Sequence, residues 1–200
     1  MRFHLFYSER LALLKEAVTL DQVPLKRGGR KVVMFVGRMQ PPSIAHVKII
    51  EDMKKKYPSA EPVIFIVKGE GTGLNKEKNP LDFNTQKRLL QTSTKNLTKN
   101  IYEIPSAFLG EMLKTLREQN MEPIAIFCGT DRVKSYQQQI DRYKLKLNLN
   151  IKVEEIHRTG EDVSASKIRD AIKQNDFETF SKMTVGYNKS IFDMLRSKIK

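Results

Sequence analysis

Two hundred residues are enough for one full domain with a real core and a short appendage. Hydrophobic residues at 40% against 30% charged indicate a soluble globular chain, and no apolar run approaches the roughly 20 residues that a membrane span needs. The net charge of +13 attracts polyanions, but the cations lie in many short runs without aromatic or Arg/Gly interleaving, so solvated surface charge is the first reading and a nucleic-acid groove the second.

The predicted elements follow in chain order. Residues 1–30 read as an N-terminal arm, with an amphipathic helix over 8–19 that puts Leu11, Leu14 and Val18 on one face. Its apolar start is broken by Ser8, Glu9 and Arg10, unlike a signal peptide, and Cys128 has no second cysteine to pair with. A cytoplasmic location is therefore expected. Pro24 and Gly28-Gly29 end the arm. The main domain, 31–185, opens with KVVMFV at 31–36, an apolar and β-branched run typical of a strand buried on both faces. A helix over 45–57, a strand over 62–67, a helix after Pro80 and a short strand near Ile101 follow. Then come a helix over 106–119, the strand PIAIFC at 123–128, a helix from Asp131, a strand over 151–156 and a helix opening at Ser164. Residues 186–200 complete the chain with a helix over 188–199 that, like the arm, could dock on the core or on a second copy. Alternating strands and helices predict a doubly wound parallel α/β sheet, with ligands at the carboxyl ends of the strands.

At the first strand exit the chain reads Gly37-Arg38-Met39-Gln40-Pro41-Pro42-Ser43-Ile44-Ala45-His46. Gly37 would allow a sharp turn and close approach of a ligand. The two prolines stiffen the entry to the helix. Ser43 is a good N-cap at a helix start suited to phosphate, and His46 in the first turn could reach the same phosphate. This string resembles the GRFxPPHxGH signature of the nucleotidylyltransferases, a Rossmann-like fold akin to class I aminoacyl-tRNA synthetases. The opening residues look most like the nicotinamide-mononucleotide adenylyltransferase branch. The resemblance implies that Ser43 and His46 contact a triphosphate, and that Gly37, Arg38, Met39 and Gln40 lie along the nucleotide. Ser43 replaces His or Thr of the family pattern, and Ala45 replaces Gly.

The second motif is Val163-Ser164-Ala165-Ser166-Lys167-Ile168-Arg169, about 120 residues further on. Two hydroxyls and two cations at a helix start form another anion site. It looks like the family's ISSTxIR motif, which implies that Ser164, Ser166, Lys167 and Arg169 hold the triphosphate and stabilise the leaving pyrophosphate. Gly129-Thr130-Asp131 resembles the family's G(S/A)D turn, and Gly129 and Asp131 would meet the nucleotide. A plain N-cap with an acidic first turn fits the same residues. Lys68 and Gly69 open the loop Gly69-Glu70-Gly71-Thr72-Gly73, which could hold the acceptor; it lacks the Gly-Lys-Ser/Thr of a Walker A motif. Asn79-Pro80-Leu81-Asp82 resembles the family's NPLS segment, with Asp82 or Asn84 as a helix cap.

His4 and His157 carry little signal, and no spacing suggests a zinc site or a hydrolytic triad. The resemblance spans about residues 31–185. GTDRV together with VSASKIRDAI looks closest to a phage-encoded subset, which would put the protein in the host cytoplasm. The implied activity is transfer of a nucleoside monophosphate from ATP or CTP to a phosphate-bearing acceptor such as nicotinamide mononucleotide. Mg²⁺ on the triphosphate is the implied cofactor. The partners implied are the two small molecules; nucleic acid and a second copy stay open. The other reading is a non-catalytic relative that binds nucleotide or nucleic acid, as in a phage particle.

Overall fold

A computed structural model describes residues 28–68, 78–147, 150–156 and 163–199. The arm helix over 8–19, the loop from Gly69 to Gly73 and His157 lie outside the described residues. Five strands form one sheet: β1 (Arg30–Gly37), β2 (Glu61–Val67), β3 (Asn100–Ile104), β4 (Met121–Gly129) and β5 (Lys152–Ile156). Their order is β3-β2-β1-β4-β5 and every pair is parallel. The described helices are α1 (Ile44–Lys56), α2 (Phe83–Ser93), α3 (Leu109–Glu118), α4 (Thr130–Leu147), α5 (Ala165–Lys173), α6 (Phe177–Met183) and α7 (Lys189–Lys198). The expected doubly wound α/β architecture is present.

The central strands β1, β2 and β4 are largely apolar because both their faces are covered, whereas the edge strand β5, KVEEI, is partly exposed. On one face Val33, Phe35, Ile64, Ile66, Ala125 and Phe127 pack against Ile50 and Met53 of α1 and Leu90 of α2. On the other, Val32, Met34, Val63, Phe65, Ile126 and Cys128 pack against Met112, Leu113 and Leu116 of α3 and Tyr136 and Ile140 of α4. The chain winds outward from β1 to β3 with helices on the first face. It then returns to β4 on the other side of β1, with helices on the second face. The strand order therefore reverses between β1 and β4, and the carboxyl ends at such a reversal are where doubly wound sheets hold their ligands.

A third apolar cluster joins α5, α6 and α7 to Leu81 and to Leu89 of α2. Phe180, Phe192 and Leu195 are fully buried in it, and burial of each such side chain is worth about 1.5–3 kcal/mol. The helix at 188–199 thus packs through the same cluster as α5 and α6. A salt bridge of 3.1 Å from Lys198 to Asp82 fastens its end to the start of α2.

Most element boundaries agree with the sequence reading to within a residue or two, and two helix starts differ in how they are capped. The third helix begins at Leu109 instead of 106, because its first N–H is capped from outside by Gln139 Oε1 at 2.8 Å. Thr130 is the first residue of α4 rather than its cap, and its hydroxyl donates to Glu155 Oε1 at 2.6 Å.

Candidate active site

The β1 exit is fixed more tightly than its composition suggests. Gly37 ends β1 with an ordinary φ, so the sharp turn expected there falls two residues later, where Met39 is left-handed at φ 51°. A side chain other than glycine rarely adopts that conformation without support. Met39 is buried in the core beneath α1, with its Cε methyl against Gly37. Gln40 is buried too; its Nε2 donates to the Leu81 carbonyl at 2.9 Å and its Oε1 accepts from the Leu81 N–H at 3.0 Å. Both side chains are thus engaged inside the protein. Arg38 is exposed beside them.

Ser43 is the N-cap of α1 and only 2% exposed. Its backbone N–H donates to His46 Nδ1 at 3.0 Å, and its Oγ lies 2.8 Å from the same nitrogen. An imidazole nitrogen that accepts an N–H carries no proton, so the neutral ring holds its proton on Nε2. Phe35 lies 6.1 Å from the imidazole, centroid to centroid, and fills the space below it. Ser43 therefore orients His46, and Nε2–H is the ring's donor. Ala45 is exposed in the first turn.

The second motif is brought onto the first. Ser164 caps α5, its Oγ accepting from the Lys167 N–H at 3.2 Å. One turn in, Arg169 NH1 donates to the Gln40 carbonyl at 2.8 Å and NH2 to Ser166 Oγ at 3.1 Å. Residues 129 positions apart thus share one hydrogen bond. Ser166 and Lys167 are exposed at this helix start.

At the β4 exit, Gly129 runs into α4 and Asp131 projects into solvent, 3.6 Å from Arg132. A Cβ on Gly129 would fall 2.7 Å from Asp131 Oδ1, so the side chain curls over the turn. Cys128 just before it is buried; burial and then the nearby Asp131 and Glu155 push its thiol up to about 11, which removes it as a thiolate nucleophile at neutral pH. Lys68 lies exposed at the β2 exit, its N–H bonded to the Ile104 carbonyl at 2.9 Å. Gly69 is outside the described residues. Asp82 is the residue that caps α2; the Thr85 N–H, the Thr85 hydroxyl and Lys198 hold its carboxyl well below the usual range.

One participant escaped the sequence reading. Gln86 of α2 is 3% exposed, and its Nε2 donates to the Arg38 carbonyl and, at 3.1 Å, to the Met39 carbonyl. A signal was present: Gln86, Leu89, Leu90 and Ser93 recur at core spacing, so a glutamine occupies a buried-face position.

Comparison with known proteins settles the family. The cytidylyltransferase-like family model matches residues 34–171, which include both motifs. The chain belongs to the cytidylyltransferase-like family. As a member it is a nucleotidyltransferase. A search of curated sequences found no match. Among solved structures, a protein assigned as a nicotinate-nucleotide adenylyltransferase from Vibrio parahaemolyticus aligns with a TM-score of 0.53 and 14% identity, covering 83% of this chain and 98% of its own. The Plasmodium falciparum nicotinic acid mononucleotide adenylyltransferase, solved with NaAD, aligns at 0.54 and 15%, covering 84% and 95%. A Streptococcus pneumoniae structure described as a macrolide-efflux protein aligns at 0.54 and 14%, covering 77% and 64%. At these identities the structural likeness establishes the fold. No helix among the described residues of this cytidylyltransferase-like protein is long and apolar enough to cross a membrane.

Proposed function

We propose that this protein transfers a nucleoside monophosphate from ATP or CTP to a phosphate-bearing acceptor, with a pyridine mononucleotide as the first candidate. A phosphate oxygen of the acceptor attacks the α-phosphorus in line. The bond to the bridging oxygen breaks, and its electron pair leaves with pyrophosphate. The protein supplies no nucleophile; it aligns the reactants and stabilises developing charge.

The observation that supports this reading is the hydrogen bond from Arg169 to the Gln40 carbonyl, which brings the α5 start to the loop that leads into α1, beside the sheet's switch point. In this reading His46 Nε2–H and Arg169 meet the triphosphate, and Lys167 reaches the β- and γ-phosphates. Ser43 acts through His46. The likeness to structures named as nicotinate and nicotinic acid mononucleotide adenylyltransferases supports the choice of acceptor. Among the described residues no three His, Cys, Asp or Glu side chains gather as a metal site. Mg²⁺ would be held by triphosphate oxygens and water, where it would neutralise phosphate charge.

The test is pyrophosphate release with Mg²⁺ and ATP or CTP against nicotinamide mononucleotide, nicotinate mononucleotide, phosphopantetheine, glycerol 3-phosphate and phosphocholine. Release is expected with one pair and lost in His46→Ala. Silence across the panel together with no calorimetric binding of either triphosphate would refute the reading, and would favour a relative that has lost catalysis.

A further inference from the structure

We infer that Gln86, a residue with no reacting group, is a positioning residue for nucleotide binding: it holds the β1 exit in its left-handed turn and so places the carbonyl on which Arg169 is anchored. Three successive carbonyls carry the argument. Those of Arg38 and Met39 both accept from Gln86 Nε2, and that of Gln40 accepts from Arg169. In an extended chain neighbouring carbonyls point to opposite sides. Here two neighbours converge on a single nitrogen, which requires a reversal at the residue between them. That residue is Met39, at φ 51°.

A left-handed conformation is unfavourable for a residue that carries a side chain. The two bonds from Gln86 offset it, and no glycine is present at that position to do so. The bonds are made inside the protein, where an amide with its partners withdrawn would be left unsatisfied. Gln40 closes the second half of the lock by pairing both ends of its side-chain amide with the Leu81 backbone. Gln86 and Leu81 both belong to the stretch around the start of α2, and this stretch sets the loop from below. Arg169 meets the loop from the α5 side.

The inference rests on the nucleotidyl-transfer reading, because it assigns Gln86 to the placement of that site's arginine. Three proteins are compared: wild type, Gln86→Met, which keeps the length and removes the donor, and Leu90→Ala, a cavity variant one turn along α2. Leu90 is fully buried in the same apolar layer as Met39, and its truncation removes no hydrogen bond from the loop. Each is titrated with MgATP and MgCTP by calorimetry, and the side-chain Nε–H resonance of Arg169 is followed by NMR, assigned by its loss in Arg169→Lys. We expect Gln86→Met to bind the preferred triphosphate on the order of ten- to a hundredfold more weakly per folded molecule, as when a partner that orients a ligating group is removed. The Arg169 resonance should move. Leu90→Ala should lower the melting temperature and leave both affinity and resonance in place. Equal affinity in wild type and Gln86→Met, or equal losses in Gln86→Met and Leu90→Ala, would overturn the inference. If Gln86→Met does not fold, Gln86→Glu is read by the same criteria; its carboxylate would face two carbonyls. Failure of the wild type to bind either triphosphate would sink the nucleotidyl-transfer reading itself, a result distinct from any difference among the variants.

Discussion

At the end of β1, every carbonyl from Arg38 to Gln40 accepts a hydrogen bond from a side chain far away in sequence. At the end of β4, the turn Gly129-Thr130-Asp131 passes straight into a helix, and the Asp131 side chain is 73% exposed. Both exits flank the same switch point, and both follow a strand-ending glycine and lead into a helix. The difference is in how a site residue is held. His46 is oriented by Ser43 and supported by Phe35, whereas Asp131 is restrained by little more than its neighbour Arg132. A rigid exit suits groups that must act on a phosphorus in line, where small displacements are expensive. An open exit suits a part of the ligand that needs only to be accommodated.

The comparison breaks most clearly at His46. His46→Ala should lower kcat/KM for pyrophosphate release on the order of 10²–10³-fold, with little change in melting temperature. Ser43→Ala should come next, with an activity loss of about tenfold and a stability loss of about 1 kcal/mol, since it removes both an N-cap residue and a neighbour of His46 Nδ1. Denaturant unfolding beside steady-state kinetics checks both numbers. Asp131→Ala should lose less than about tenfold in activity and shift stability by under about 0.5 kcal/mol. If Asp131→Ala proved as damaging as His46→Ala, the contrast between the exits would not hold.

A smaller effect sharpens the same contrast through pH. The far end of α1 is fastened to β5, next to β4, because Tyr57 and Lys56 both hydrogen-bond Glu154. Burial raises the Glu154 pKa, but the bonds from Lys56 and Tyr57 outweigh it and hold the carboxyl below its ordinary range. Its contribution to stability is therefore present above the ordinary carboxylate range and lost as pH falls through the depressed value. Asp82 has the same sign. Burial, with the bond and charge of Glu154, pushes Tyr57 up to about 12 from 10.0, so its contribution is present below about 10 and lost as pH climbs toward 12. Glu154→Gln should cost about 0.5–1.5 kcal/mol at neutral pH and flatten both limbs. Urea midpoints across pH measure this. An unchanged acid limb would show that the contact carries no stability.

The sheet was legible because its central strands are short and apolar, and because alternation with helices admits few topologies. Val32 and Met34 face one layer and Val33 and Phe35 the other, yet all four are buried, so a continuous run was the right signal. The two helix starts at Ser43 and Ser164 were legible, since capping signals are local. The remainder was not local. A left-handed Met39 in place of a turning Gly37 depends on Gln86, some fifty residues away, and no neighbouring residue announces it. The inward orientation of the Met39 and Gln40 side chains follows from the same long-range bonds. The start of α3 moved because its cap comes from Gln139 of another helix.

The most direct test of a single site formed by both motifs is amide NMR with Mn²⁺-loaded ATP and CTP, in which bound paramagnetic metal broadens nearby signals. We predict that the preferred nucleotide broadens the segments Ser43–His46 and Ser164–Arg169 together, and spares the start of β3 at Asn100 on the far edge of the sheet. Broadening of only one of the two segments, or of neither while nucleotide is bound, would contradict the account.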